Sequence, residues 1–154
     1  MTVLEYSEDR ADSAQIRFHL DACDARFIPP LSNRLDISAY AEKLASYARR
    51  FEAWDGGELV GLVAAYCNAP GREQAFITSV SVLPHAESKG IASQLVARCI
   101  WATRNAGFGR LELEVGADNA GALALYGKHG FRLASEDGGM ARMTLELNGR
   151  DDEL

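Results

Sequence analysis

Cysteine is scarce and unpaired in this chain. Cys23, Cys67 and Cys99 are odd in number and widely spaced, which argues against a disulfide framework and offers no metal-type pairing. They read as three small buried hydrophobes in a reducing cytosol. Long apolar runs are missing too. The longest fall well short of a membrane span, and the opening MTVLEYSEDR is no signal peptide. Positive charge is in deficit, with 16 Lys+Arg against 22 Asp+Glu and a net charge of −6. That balance argues against non-specific nucleic-acid binding and suits a cationic substrate. His19, His85 and His129 are scattered, so no metal constellation emerges. There is no internal repeat, low-complexity run or linker. What remains is a chain of 154 residues, 47% apolar and 25% charged, the composition of a globular soluble protein. The expectation is a cytoplasmic protein with one domain over 1–148 and a polar tail at 149–154. The final DDEL is similar to an ER-retrieval address but has no entry signal to accompany it.

The richest stretch runs from Phe76 to Ala97, FITSVSVLPHAESKGIASQLVA. Thr78, Val80 and Val82 alternate with Ile77, Ser79, Ser81 and Leu83, a β-branched run that predicts a strand. Pro84 cannot donate to a sheet ladder and ends it. From Gly90 the apolar residues Ile91, Leu95, Val96, Cys99 and Ile100 follow helical spacing. The intervening loop therefore delivers the chain into a helix N-terminus, whose free N–H groups and positive dipole end favour an anion. Gly90 lets a ligand approach the backbone, and Lys89 adds positive charge. The residues alone read either as a phosphate cradle at the carboxyl end of a strand or as a tight strand-to-helix bend.

Elsewhere the pattern alternates between strand and helix. Val3–Tyr6 predicts a short strand, and Asp12 or Ser13 caps a helix through Cys23. Phe27-Ile28-Pro29-Pro30-Leu31-Ser32 is expected to be extended, because tandem prolines forbid helix. A helix from Ile37 to Arg49 should carry Tyr40, Leu44 and Tyr47 on one face. Phe51–Trp54 and Leu59–Tyr66 flank the turn Asp55-Gly56-Gly57-Glu58 as a hairpin. A further turn at Ala69-Pro70-Gly71-Arg72 leads to the Thr78 strand, giving three antiparallel strands in a row. Leu111, Leu113 and Val115 face one way and Glu112 and Glu114 the other. The strand, crossover helix and strand from Thr78 to Val115 should make those two strands parallel. Asn119 caps a helix ended by Gly130, and Phe131–Ser135 with Met140–Leu147 forms a last hairpin. The fold class is α/β (α+β), a mixed sheet flanked by helices.

Two motifs carry a family resemblance. Val82-Leu83-Pro84 with Gly90-Ile91-Ala92, and Asn119-x-x-Ala122-x-x-Leu125-Tyr126 with Gly130-Phe131, resemble the two signatures of the GNAT superfamily of acetyl-CoA-dependent N-acetyltransferases. The first departs from that pattern at Glu87, where a Gln or Arg is usual. A carboxylate facing a diphosphate would repel it, so Glu87 is expected to point away and Lys89 to carry more of the binding. The resemblance implies a single-domain fold whose central parallel strands splay apart at their carboxyl ends to admit acetyl-CoA. Val80, Ser81 and Val82 would pair with the pantetheine arm through their main chain. Ser88, Lys89, Gly90, Ile91, Ala92 and Ser93 would hold the pyrophosphate, and Asn119 would bond the cofactor arm. A main-chain N–H near Val80 would stabilise the thioester oxygen as it gathers charge. Phe27 and Leu31 fall where the acceptor site is usually shaped.

The resemblance also implies roles in catalysis. Tyr126 would protonate the departing thiolate, a phenol at about 10 matching a thiol at about 8.5. Glu114 would take the amine proton, directly or through water, as the matching glutamate does in the N-terminal-alanine acetyltransferases of ribosomal proteins. Glu112 is a weaker second candidate. No cysteine stands where an acyl-enzyme would form, so direct attack in a ternary complex is expected, on a small-molecule or peptide amine. No metal, nucleic acid or membrane partner is implied, and a homodimer stays open. The alternative to an enzyme is a non-catalytic acyl-CoA-binding sensor or scaffold, to which the Glu87 departure points.

Overall fold

Alternating apolar residues and glycine turns assemble one seven-stranded sheet with helices on both faces. The computed structural model describes residues 3–27 and 29–147. In chain order the elements are β1 (Leu4–Glu8), α1 (Ser13–Cys23), α2 (Ile37–Tyr47), β2 (Ala48–Asp55), β3 (Glu58–Tyr66), β4 (Gln74–Val82), α3 (Ile91–Asn105), β5 (Arg110–Gly116), α4 (Ala120–Lys128), β6 (Arg132–Asp137) and β7 (Met140–Glu146). The sheet order is β1-β2-β3-β4-β5-β7-β6. Only β4 and β5 run parallel, with α3 as the crossover between them. On one face α1 and α2 bury Ile16, Leu20 and Leu44 against Trp54 and Leu62. On the other, α3 and α4 bury Leu95, Val96 and Tyr126 against Phe51, Val63 and Leu111. Each fully buried leucine among these contributes about 1.5–3 kcal/mol relative to leaving it exposed.

A charged pair anchors the first face. Glu52 is fully buried, and its carboxylate accepts from the N–H groups of Arg10 and Ala11 and from Trp54 Nε1. Beside it the Arg50 guanidinium donates to the carbonyls of Leu44, Ala45, Ala48 and Ala11. Arg50 thus adds donors at the end of α2, sharing the Leu44 carbonyl with the Ala48 N–H and taking that of Ala45 in the last turn. The two side chains tie both helices to β2.

Several expectations shift in detail. The helix expected to reach Arg49 stops at Tyr47, because Ala48 and Arg49 pair with Tyr66 and Ala65 across the sheet. Tyr47, expected beside Leu44, is exposed where the chain turns out of the helix. Four strands, not three, are antiparallel in a row, since β1 pairs with β2. Pro30 is extended as expected, but Asp24–Arg26 and Leu31–Asn33 form short 3₁₀ turns on either side of the prolines. The Asp24 carboxylate holds them together by accepting from the N–H and hydroxyl of Ser32, and those bonds lower its pKa. Cys67 is half-buried rather than buried. Ile28 and the polar tail at 149–154 lie outside the described residues.

Candidate active site

The central cleft follows from how far β4 and β5 pair. Their ladder runs only from Gln74–Arg110 to Ile77–Leu113, although β4 continues to Val82 and β5 to Gly116. Beyond Ile77 the two strands diverge and leave facing edges unpaired. A bulge starts the divergence. Ala64 pairs with Ser79 but Ala65 with Ile77, so Thr78 is the extra residue on its strand. The alternation read from the sequence breaks there. Thr78 does not share a face with Val80 and Val82; its hydroxyl lies 2.6 Å from that of Tyr40, on α2. Tyr40 also donates to the Thr78 carbonyl at 2.9 Å, so a tyrosine from the neighbouring helix holds the bulge.

The bulge settles which main-chain groups face the cleft. The Leu83 N–H donates to the Val60 carbonyl, and the same register pairs Leu62 with Ser81. In an antiparallel ladder the hydrogen-bonded positions alternate. The Ser81 main chain is therefore bound to β3, while Val80 and Val82 turn their N–H and C=O groups to the open edge. Of the three residues expected to offer main-chain bonds, Ser81 is thus spent on the sheet. Its side chain is spent as well, lying 2.8 Å from His19 Nε2 on α1. His19 Nδ1 lies 2.8 Å from the Leu59 carbonyl, which makes Nδ1 the donor and Nε2 an acceptor of the Ser81 hydroxyl. Burial pushes the His19 pKa down to about 4, so this histidine is a neutral strut between α1 and the sheet.

At the far end of the cleft lies the loop into α3. Gly90 takes φ +76° as the cap of that helix, and an added Cβ there would meet no protein atom within 4 Å. Ser88 is also left-handed, at φ +68°. Gln94 is the first residue to bond back, to the Gly90 carbonyl. Among the described residues the N–H groups from Ser88 to Ser93 find no protein acceptor. They form a run of donors beside a cleft of about 360 Å³ lined by Val80, Val82, Ser88, Gly90, Ile91, Ala92, Ser93 and Tyr126. Packing sets where this run stands. Gly61 on β3 has no side chain, and a Cβ there would sit 2.6 Å from Ile91 Cγ2 and 3.1 Å from Leu95 Cδ1. The missing Cβ lets the first turn of α3 lie directly on the sheet.

Two side chains at this end differ from expectation. Lys89 is exposed and lines neither this cleft nor the cavity beside it. Glu87 does not point away: it lines the cleft, with Oε2 3.2 Å from Nε of Arg26. The ion pair accounts for a carboxylate at this place, because Arg26 supplies the opposite charge. Ser93 lies 2.9 Å from His129 Nε2, which links the first turn of α3 to the end of α4.

A second cavity, of about 180 Å³, adjoins the first and shares Arg26, Phe27, Val80, Ala122 and Tyr126 with it. Leu31, Thr78, Glu114, Asn119 and Met140 complete much of its wall. Phe27, Leu31, Glu114, Asn119 and Tyr126 therefore meet in one place although they come from three separate parts of the chain. Asn119 caps α4, with Oδ1 accepting from the Ala122 N–H, which leaves its amide N–H groups as donors. Tyr126 is buried at the junction of the cavities, edge-on to Phe131 with ring centroids 5.9 Å apart. Burial alone pushes its phenol up to about 12, so it keeps its proton through the neutral range and acts as a donor, not a base. Glu114 is exposed, and its Oε2 accepts from Arg142 at 2.8 Å while Oε1 has no such partner. Glu112 differs: both of its oxygens are taken, by Arg110 and by Arg142. His85 is exposed at the surface, 3.3 Å from Glu58.

The sequence patterns did not reveal Arg26, Arg142 or Tyr40. None lies in a recognisable motif, and each acts across a distance along the chain that only the fold closes.

Comparison with known proteins bears on the family and the fold. Residues 14–131 match the profile of the Acetyltransferase (GNAT) family, well over half of the chain. Over 84 residues the chain is 38% identical to the N-alpha-acetyltransferase MAK3 of Arabidopsis thaliana, covering 53% of this chain and 43% of that protein. The chain thus spans less than half the length of the curated relative it matches. Among solved structures, a GNAT-family acetyltransferase from Desulfovibrio desulfuricans superposes with a TM-score of 0.78 at 15% identity, covering 94% of this chain and 99% of that one. YncA of Salmonella typhimurium, solved with acetyl-CoA, gives 0.75 at 17% identity, covering 97% and 96%. The ribosomal-protein-S18-alanine N-acetyltransferase of Escherichia coli gives 0.76 at 20% identity, covering 100% and 99%. At those identities the structures speak for the fold, while the sequence profile speaks for descent: the chain belongs to the acetyltransferase (GNAT) family.

Proposed function

We propose that the protein is a cytoplasmic N-acetyltransferase, folded as one domain over 1–148, that moves the acetyl group of acetyl-CoA to a primary amine by direct attack in a ternary complex. The observation that carries this reading is the cleft between β4 and β5, with a run of free N–H groups at one end and the Tyr126 phenol at the other. Acetyl-CoA, when bound, supplies an activated acetyl thioester. The N–H groups from Ser88 to Ser93, at the positive end of α3, suit a diphosphate. The open space over Gly90 is what such a group needs, since a Cβ would project into it. Val80 and Val82 offer main-chain groups to an extended arm, as an added strand would use them. The Val80 N–H also suits a carbonyl oxygen gathering negative charge.

Tyr126 then faces the departing sulfur. With its pKa pushed up to about 12 against about 8.5 for a thiol, it stabilises the thiolate chiefly by donating a hydrogen bond. Glu114 lies across the second cavity and has one carboxylate oxygen free of Arg142 to accept the amine proton, directly or through water. Phe27 and Leu31 shape the acceptor side of that cavity. Relatives named for acetylating protein N-termini turn the choice of amine towards a polypeptide α-amino group. Thiol release from acetyl-CoA, followed against a panel of short peptides and small amines, tests the proposal. Acetylated product with at least one acceptor is expected. Tight acetyl-CoA binding without turnover on any amine would favour a sensor instead.

A further inference from the structure

The cleft holds one feature that a diphosphate site should not have, a carboxylate in its wall. Glu87 lines the cavity within the same loop as the free N–H groups. Its partner, Arg26, comes from the 3₁₀ turn after α1, far away in sequence, and lines both cavities. Arg26 pairs with Glu87 through the guanidinium, Nε standing 3.2 Å from Oε2. Arg26 is 57% exposed along its side chain and lines the cleft. A guanidinium is a planar fork with five N–H donors, so one carboxylate beside it leaves donors to meet a second anion. Among the described residues no other cation lines this cleft, since Lys89 stands outside it.

We propose that Arg26 is a diphosphate-binding residue of the acyl-CoA site, delivered from the α1–α2 connection, and that Glu87 is the positioning residue that aims it. The inference rests on the reading of the cleft as an acyl-CoA site. Glu87 holds the guanidinium, and its remaining N–H donors take phosphate oxygens. The same arrangement explains how a carboxylate stands beside a bound dianion, because the guanidinium lies between the two. It also ties cofactor to acceptor. Arg26 and Phe27 are adjacent in the chain, so the segment that meets the diphosphate also walls the acceptor cavity.

Calorimetric titration of the full chain with three ligands tests this. Acetyl-CoA carries the diphosphate and a ribose phosphate, dephospho-CoA keeps only the diphosphate, and S-acetylpantetheine has neither. Arg26→Ala should raise Kd about tenfold, the worth of one partly exposed charge-assisted contact, for acetyl-CoA and dephospho-CoA alike. It should leave S-acetylpantetheine unchanged. The same substitution is then made in a Glu87→Gln protein. If Arg26 touches the diphosphate, the substitution still costs severalfold there, less than in the wild type because Glu87 no longer aims the guanidinium. If Arg26 only neutralises Glu87, the cost vanishes in that background and the inference is overturned. A loss seen with acetyl-CoA but not with dephospho-CoA would assign Arg26 to the ribose phosphate and also overturn it. Wild-type protein that binds none of the three ligands would instead remove the acyl-CoA site itself.

Discussion

Gly61→Ala tests whether packing on the sheet sets the anion site from a distance. The added methyl would lie 2.6 Å from Ile91 Cγ2 and 3.1 Å from Leu95 Cδ1. Carbon atoms in comfortable contact stand about 3.5–4.0 Å apart, so the first turn of α3 must lift by about 1 Å. Ile91 cannot swing away cheaply, since Cγ2 branches directly from a stiff Cβ and the residue is buried. Overpacking of this kind costs about 1–3 kcal/mol, read by urea denaturation. Because Ile91 is the first residue of α3, the displacement carries the N–H groups from Ser88 to Ser93 with it. Acetyl-CoA affinity should therefore fall although residue 61 lines neither cavity. Ile91→Val keeps the offending methyl and should not relieve the strain. Ile91→Leu moves the branch outward and should. A Gly61→Ala protein with unchanged stability and unchanged Kd would refute the argument.

Three further outcomes follow from the site and its supports. For His19 the folded pKa is about 4 against about 6.5 unfolded. The unfolded chain takes up the proton first as pH falls, so stability is whole above pH 6.5 and declines towards pH 4. The gap is worth about 3 kcal/mol, and denaturation series at pH 7 and pH 4 should show a shallower decline in His19→Gln; equal slopes would remove the buried neutral histidine from the account. Glu114→Gln should lower kcat/KM and shift the acidic limb of the pH profile, whereas Glu112→Gln, whose oxygens are both held by arginines, should cost activity much less. Equal losses in the two would mean that neither is the specific base. Lys89→Ala should change acetyl-CoA Kd by no more than about twofold, as for an exposed charge, and a tenfold loss would return Lys89 to the site.

Much of this is legible in the sequence. Gly90 after a β-branched run, and Asn119 with Tyr126 at helical spacing, mark both ends of the cleft because local rules govern them: a left-handed cap, an N-cap, a helix face. The parallel pairing of β4 and β5 followed from an intervening helix. Non-local effects were not legible. Thr78 changes face because the bulge inserts one residue into the ladder with β3, which no pattern within β4 reveals. Ser81 looked like a cofactor contact, but its main chain is committed to Leu62 and its hydroxyl to His19. Glu87 is expected to turn from the cleft because a carboxylate repels a diphosphate, and no local pattern shows that Arg26, from the 3₁₀ turn after α1, supplies the opposite charge.

The most direct test of the whole account is steady-state turnover by Tyr126→Phe. The change removes one hydroxyl and keeps the ring packed against Phe131, so stability and acetyl-CoA affinity should survive. Loss of a positioned hydrogen-bond donor to the developing thiolate should lower kcat by roughly 10²–10³-fold. The deficit should shrink with acyl thioesters whose thiol is more acidic, because that leaving group needs less help. Full activity in Tyr126→Phe, or a deficit that ignores the leaving group, would contradict the assignment and leave the thiolate to be stabilised by solvent.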